Sequence, residues 1–480
     1  MRVKTNWCFK LIPVFMLFVV IVFSLPHRIQ AGESNAYQAK RLSNVTVVAA
    51  GERSVYAIKE DGTVWAWGGW KRSGLLGNGY PVQSVSPVQM KISDAHDVAS
   101  GTGHTLLLKK DGTVWATGSN EDGQLGLGTA SNEIVLAPVR IEGLNNIKAI
   151  VADGNQSLAL KSDGTVWQWG RTDRVNIPSS TPVRVEGLPA GVSIAAGSGS
   201  AMMLDVEGNV YVWGTVLTET NPDKIRKPTR VSGLKKSTAI AASGKRAAAL
   251  AEDGTVWTWN NSKLYPTPGQ LLHPTKVLQA EGVQHITGGG GSSFGLTKKD
   301  GTVWMWYSYW DQPAYTAVQI RGIHDASHMA SSQVWGNYAL LKNGTLMTWE
   351  MDTLGQFSKP EPVQAPIQIQ LNGEVIPLVI PPVIINNVSY VPLRGVFEPI
   401  GATIEWNQGN FTGKVKKGNT VIEIYAAAEK LSLNGQFVPD EFNPKMFHGV
   451  TIVPLRFISE KLGAEVKWNA ADYTVHINIQ

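Results

Sequence analysis

Seven variants of one octapeptide constrain this chain more than any other feature. Asp-Gly-Thr-Val-Trp-x-Trp-Gly stands at 61–68 and at 163–170. Close copies stand at 111–118 (DGTVWATG), 207–214 (EGNVYVWG), 253–260 (DGTVWTWN), 300–306 (DGTVWMW) and 343–349 (NGTLMTW). Asp-Gly between apolar runs predicts a hairpin with a two-residue type I′ turn, since Gly takes positive φ freely and Asp or Asn tolerates it. Thr-Val-Trp-x-Trp is rich in β-branched and aromatic residues and predicts a strand. Alternation puts Thr63, Trp65 and Trp67 on one face and Val64 and Ala66 on the other. Both faces are largely apolar, as in a strand held between two layers.

Each copy sits in a longer unit. A run of small residues precedes it, such as VVAAGERSVYAI at 47–58 and DVASGTGHTLLL at 97–108. Ala and Gly are poor strand formers, so their use here predicts a strand where several sheets converge and space is short. A Gly-rich loop follows the tryptophans, clearest as EDGQLGLGT at 121–129 and degraded as SGLLGNG at 73–79. An outer strand closes the unit, as in PVRIEGL at 138–144 and PVRVEGL at 182–188. The turn dipeptides begin at 61, 111, 163, 207, 253, 300 and 343, in steps of 50, 52, 44, 46, 47 and 43 residues. A four-stranded unit of ~40–50 residues predicts a β-propeller blade. The expected fold is mainly β: a seven-bladed β-propeller, with a small duplicated α+β domain after it. Radial repetition leaves only short, protected sheet edges.

DGTVWxWG, the GQLGLG at 123–128 and PVRVEGL, recurring in one order, resemble the repeat of the regulator of chromosome condensation family. The resemblance covers roughly 40–366 and implies a propeller. The family's namesake is a nucleotide exchange factor on chromatin. That activity is not carried over, because fold does not fix function and the N-terminus points away from chromatin.

Arg2, Lys4 and Lys10 precede a 15-residue apolar run, Leu11–Leu25, and small residues follow, with Ala31 and Ala36 as cleavage positions. This predicts a cleaved signal peptide rather than a membrane anchor, which needs ~20 apolar residues. The expected organisation is a signal peptide at 1–31, the propeller at 37–366 and a stalk-type domain at 367–480. The signal holds four basic residues and no acid, so the mature chain has 39 basic and 38 acidic residues. The basic balance of the whole chain is therefore poor support for nucleic acid as a partner. The single cysteine, Cys8, lies ahead of the apolar run, so the mature chain has none. That usage suits a bacterial exported protein held together by packing alone.

Residues 367–480 repeat internally with an offset of 62: Val-Pro-Leu-Arg at 391–394 and 453–456, Gly-Ala at 401–402 and 463–464, Trp-Asn at 406–407 and 468–469. Each half reads as strand, short amphipathic helix, Gly-Ala, hairpin. RFISEKLGA at 456–464 places Phe457, Ile458 and Leu462 on one helical face with Gly463 as the stop. This half resembles the copper amine oxidase N-terminal (stalk) domain. The resemblance implies a non-catalytic accessory module of Gram-positive cell-surface proteins. Arg394 and Arg456 are expected to be structural, bonding backbone carbonyls or an acidic partner.

The residues nominate no catalytic group, cofactor or metal. Of nine histidines only His324 and His328 are close, and they fall on a link between strands rather than on a helix. No Gly-x-Ser-x-Gly elbow occurs, and TGGGGSS at 287–293 lacks the Lys of a phosphate loop. The turns after the small-residue runs differ from unit to unit, and a binding site belongs where units differ. They nominate Arg53, His104, Gln156, Arg246 and Trp335 as ligand-binding residues, with Tyr309 and Trp310 as an extra aromatic platform. The expected protein is a secreted or cell-wall-associated monomer, not an enzyme. It would bind cell-wall polysaccharide or a surface protein, with no nucleic-acid partner and no membrane contact after signal cleavage. The alternatives are a carbohydrate-active enzyme using loop carboxylates and a structural surface scaffold.

Overall fold

The computed structural model describes residues 40–480 apart from 71–72, 172–178, 198, 215–224, 245, 261–273, 290–292, 308–315, 352–355, 387, 448–449, 470–472 and 480. Among the described residues, the octapeptide region forms seven four-stranded antiparallel sheets, numbered here 1 to 7 in chain order. Sheet 1 is typical: Val45–Ala50, Ser54–Lys59, Val64–Gly68 and Ser84–Gln89, each strand beside the next. The first strands of successive sheets neighbour one another all the way round, and that of sheet 7 returns to that of sheet 1. The small-residue runs fall on these strands and the turns beyond them. There a methyl group added at Gly288 would collide with the Ala242 carbonyl.

The hairpin in the octapeptide differs from the expected type I′ turn. Lys59 O accepts from Gly62 N (2.9 Å) and Lys59 N donates to Thr63 O (2.9 Å), so the loop has three residues, Glu60 to Gly62. Only Gly62 has positive φ, at +78°; Asp61 does not. This is a type I turn closed by a glycine bulge. The aspartate explains the choice. Asp61 Oδ1 accepts from both Thr63 N (2.9 Å) and Thr63 Oγ1 (2.6 Å), and Trp65 Nε1 donates to Thr63 Oγ1 (3.2 Å). Those bonds hold the Asp61 carboxyl below its ordinary range. The same relay recurs at Asp111, Asp163, Asp253 and Asp300.

The glycine has a second task. Its carbonyl accepts from the first strand of the following sheet: Ala95 N to Gly62 O, Ile147 N to Gly112 O, Gly191 N to Gly164 O, Ser237 N to Gly208 O, Val283 N to Gly254 O, Ala326 N to Gly301 O. The series closes on itself, since Val45 N donates to Gly344 O (3.2 Å). Closure has a second component. Leu42 N donates to Val363 O (2.8 Å) and Ala365 N to Lys40 O (2.6 Å), laying the start of the described chain beside the outermost strand of sheet 7.

The second tryptophan of each octapeptide packs against the preceding sheet. Trp169 joins Leu106, Leu108 and Val114 of sheet 2 in one core cluster; Trp213, Trp259, Trp306 and Trp349 do likewise in theirs, and Trp67 of sheet 1 packs against sheet 7. Sheet 2 departs, with Thr117 in that place. The gap between sheets 1 and 2 is filled by Tyr56, Leu76 and Met90, and Tyr56 Oη bonds Thr105 Oγ1 (2.7 Å).

The rest of the chain builds three more sheets around one separate core running from Ile367 to Ile477. The duplication is a near two-fold arrangement. Val388–Pro392 and Val450–Pro454 pair antiparallel with Val391 opposite Val453, the matching residues of the two Val-Pro-Leu-Arg copies. The helix Leu455–Lys461 forms as expected, with Ile458 and Leu462 buried, Phe457 half-buried and Gly463 at φ +84° ending it. The helix expected in the first half does not form. Residues 395–401 are a string of turns, because Pro399 has no N–H to give and Gly395 sits at φ +95°. Arg394 and Arg456 are exposed, with neither a carbonyl nor an acidic partner among the described residues.

The degraded loop of sheet 1 meets a separate small cluster of this region. Asn78 Nδ2 donates to Val379 O (3.1 Å), and Val82 packs on the cluster of Ile380, Tyr390 and Ile452. Asn78 stands where the fuller loop of sheet 2 has Leu127.

Candidate interaction face

The turns between first and second strands share one end of the ring, opposite the Asp-Gly turns. Their glycines bring neighbouring turns close enough to bond each other. Thr102 Oγ1 of sheet 2 donates to Glu52 Oε2 of sheet 1 (2.8 Å), and Thr102 N donates to Gly154 O of sheet 3 (2.9 Å). Ser332 Oγ of sheet 7 donates to Glu52 O (3.0 Å).

Arg53 and Trp335 come together here. The Arg53 guanidinium carbon lies 4.4 Å from the ring centre of Trp70, with the side chain 43% exposed. Gly68 is wedged between the Arg53 carbonyl and the Trp335 indole, where a methyl group would come within 2.8 Å of Trp335 Nε1. Tyr338 Oη donates to Trp335 O (2.6 Å) and fixes the indole's backbone. Arg53 Nε also lies 3.7 Å from Glu52 Oε1, and a guanidinium on an indole is a geometry that recognises carboxylates and aromatic faces.

A second cluster stands over sheets 2 and 3. The Asp122 carboxylate accepts from Asn155 Nδ2 (2.6 Å) and Arg171 Nη2 (2.5 Å), tying the Gly-rich loop of sheet 2 to the turn of sheet 3. Both oxygens are thereby engaged, and Glu52 is held by Thr102.

His104 and Gln156 belong below this face. Each opens the second strand of its sheet, and both are buried. Ser157 Oγ donates to Gln124 O (2.8 Å), so its contact with His104 Nε2 (2.8 Å) makes the imidazole the donor there. Burial pushes the His104 pKa down to about 3. This is a neutral histidine joining two sheets, and sequence reading placed it one residue too far into the turn; Thr102 is the residue that faces out. Gln156 occupies the same place in sheet 3, but Ala201 stands where a partner serine would be, and its amide atoms have no partner among the described residues. Arg246 opens the second strand of sheet 5, half-buried, away from the Arg53 cluster in the ring order. Tyr309 and Trp310 lie outside the described residues. Sequence reasoning missed Trp70, Asp122 and Arg171. Trp70 was legible as an extra tryptophan just past the octapeptide; the other two needed the fold.

On the first strands, the rings of His285 of sheet 6 and His328 of sheet 7 lie with centres 4.6 Å apart, tilted 31° to each other. Burial lowers both pKa values, and for His328 the neighbouring imidazole adds to it. His328 thus meets His285 rather than His324. Asp97 on the first strand of sheet 2 is pushed up to about 6 by burial, against the bond from Val98 N (2.8 Å).

The comparisons with known proteins agree with this geometry. The regulator of chromosome condensation (RCC1) repeat matches residues 61–108 and 111–160, and the copper amine oxidase N-terminal domain matches 370–477. The Arabidopsis thaliana Ultraviolet-B receptor UVR8 is 27% identical over 151 residues, 30% of this chain and 32% of that protein, so the chain spans about a third of that relative's length. Yeast RCC1 (Prp20), solved bound to Kap60, has a TM-score of 0.52 at 18% identity, covering 75% of this chain and 94% of that one. Human WBSCR16 has a TM-score of 0.51 at 20% identity, covering 60% and 85%. Likeness at this identity speaks for the fold alone. The chain thus joins a β-propeller that carries regulator of chromosome condensation repeats at 61–160 to a region at 370–477 that matches the copper amine oxidase N-terminal domain.

Proposed function

We propose that this is an exported, non-enzymatic binding protein. Its seven-bladed ring presents the turn face of sheets 7, 1 and 2 to a protein partner. The observation that carries this reading is Arg53 stacked on Trp70 beside Trp335, on the end of the ring where the units differ. Arginine and tryptophan are the residues that most often dominate protein interfaces. Yeast RCC1 (Prp20), which shares the propeller fold, has been solved with Kap60 bound, so a protein of this fold takes a protein partner. The carboxylates of this face favour binding over hydrolysis, because Asp122 and Glu52 are each committed to neighbouring side chains. The basic, then apolar N-terminus supports export, and the proposed boundaries are a signal at 1–31, the ring at 37–366 and the accessory domain at 367–480.

The test is site-specific photocrosslinking in the producing cell. A crosslinker at Gln333, on the turn face, should capture a defined surface protein, and Arg53→Ala with Trp335→Ala should remove that product. A crosslinker at Glu60, at the opposite end, should capture nothing. Equal capture from both ends would defeat the reading, and so would hydrolysis of a glycan panel abolished by one carboxylate change. N-terminal sequencing of secreted protein tests cleavage.

A further inference from the structure

The accessory domain carries a cleft of its own. It is about 450 Å³ and lies along the five-stranded sheet that begins with Thr403–Asn407, Thr412–Lys417 and Thr420–Tyr425. Alternation decides which side chains form it. Trp406 and Gly413 pair across the first two strands and turn toward the core, where the Trp406 ring lies over Gly413 near Leu393. The opposite face presents Glu405, Lys414, Glu423 and Tyr425, with Asn407 and Asn410 at its end, and Trp406 and Gly413 also line the cleft.

The two copies of the duplication separate structure from site. Trp-Asn recurs at 468–469, so it belongs to the fold. The cleft residues do not recur. Lys467 stands where Glu405 stands in the first copy, and His476 where Lys414 stands, and they pair with each other as Glu405 and Lys414 do. The second copy therefore has a lysine and a histidine where the first has a glutamate and a lysine.

The charges in the cleft cancel locally. Lys414 Nζ bonds Glu423 Oε1 (2.9 Å) and Lys416 Nζ bonds Glu405 Oε1 (3.0 Å). Glu423 Oε2 also accepts from Tyr425 Oη and Ser432 Oγ, which fixes the tyrosine ring, and Phe437 lies 5.9 Å beyond it, 68% exposed. Asn407 Oδ1 and Asn410 Oδ1 are used by Gly409 N (2.9 Å) and Thr412 Oγ1 (2.7 Å). That leaves both Nδ2 amides as donors on the rim, without partners among the described residues. The cleft thus has paired charges, outward amide donors and the Tyr425 ring in its lining, with Phe437 beside that ring outside it. A polar ligand without net charge and with apolar faces fits those terms, and a polyanion or polycation does not. We propose that this face of the accessory domain binds a neutral saccharide chain, a sugar ring stacking on Tyr425 and its hydroxyls bonding Asn407 and Asn410.

The test is calorimetric titration of the full chain with the neutral tetramers tetra-N-acetylchitotetraose and cellotetraose, against a polyglutamate and a polylysine oligomer of equal length. Saturable binding of either N-acetylated or plain neutral tetramer, with neither charged oligomer competing, is the expected result. Tyr425→Ala should weaken it about tenfold or more. Asn407→Asp with Asn410→Asp keeps the Oδ1 acceptors that hold the turn and removes the donors, and should weaken it similarly with thermal stability unchanged. Asn469→Asp, in the other copy, should leave it intact, as should Arg53→Ala, which separates this site from the turn face. Binding of a charged oligomer in preference, no binding of either neutral tetramer, or indifference to the paired asparagine change overturns the proposal.

Discussion

Asp97 shows how a single residue sets a pH dependence. Its carboxyl is raised from 3.8 to about 6 by burial, so folding is disfavoured once the group must ionise inside the ring. A raised folded pKa gives a contribution that is present below the unfolded value and lost as pH climbs through the folded one. Asp97→Asn should therefore stabilise the protein at pH 8 by ~1–2 kcal/mol and change little at pH 4, read as the difference between thermal melts at the two pH values. Gly62 tests a different account. Its φ is +78° and an added methyl would lie 3.1 Å from Asp94 Cα, whereas Gly143 has φ +75° and open space around it. Gly143→Ala should cost only the left-handed conformation, ~1 kcal/mol. Gly62→Ala should cost clearly more, since its methyl also pushes on Asp94 and strains the clasp that Ala95 N makes with Gly62 O. Equal losses in denaturant melts would mean that the clasp adds nothing.

At the scale of the element, the octapeptide was legible as a hairpin and strand, and its repetition as an architecture. The turn type was not. Asp-Gly fits a two-residue I′ turn and a three-residue bulged turn equally well. The choice was made by Thr63, whose N–H and hydroxyl both reach the Asp61 carboxylate. Part of the turn face was legible, because Arg53 and Trp335 break the pattern; His104 and Gln156 misled because the strand begins one residue earlier than periodicity suggests. The absent helix in the first half of the accessory domain follows from Pro399, which a strict reading of the duplication overlooks. The loop at 73–79 makes a further prediction. Asn78→Leu restores the residue found in sheet 2 and removes the donor to Val379 O. If that loop couples the ring to the sheets after it through the cluster of Ile380, Tyr390 and Ile452, calorimetry should split one unfolding transition into two, with the ring itself as stable as before. An unchanged single transition would show that the coupling lies elsewhere.

At the scale of the molecule, the repeat predicted the ring but could not show how it shuts, since no local signal marks residues 40–42 as partners of 363–365. Leu42 is buried in the same cluster as Val363, Tyr338 and Trp67. Leu42→Asp should open the ring and unfold all seven sheets together, while the core from Ile367 to Ile477 keeps its own hydrogen-exchange protection. Loss of protection in sheets 1 and 7 alone would instead describe sheets that unfold independently. The closure also sets a clock. Bonds between Leu42 and Val363 and between Lys40 and Ala365 join the two extremes of the repeat region, so their formation carries nearly the full loop-closure cost available to it. A chain emerging N-terminus first from any tunnel has its first partner waiting until the last outer strand is out. Up to that moment every sheet already made belongs to an open arc with two unmatched faces, so the time spent in passage is time spent unfinished.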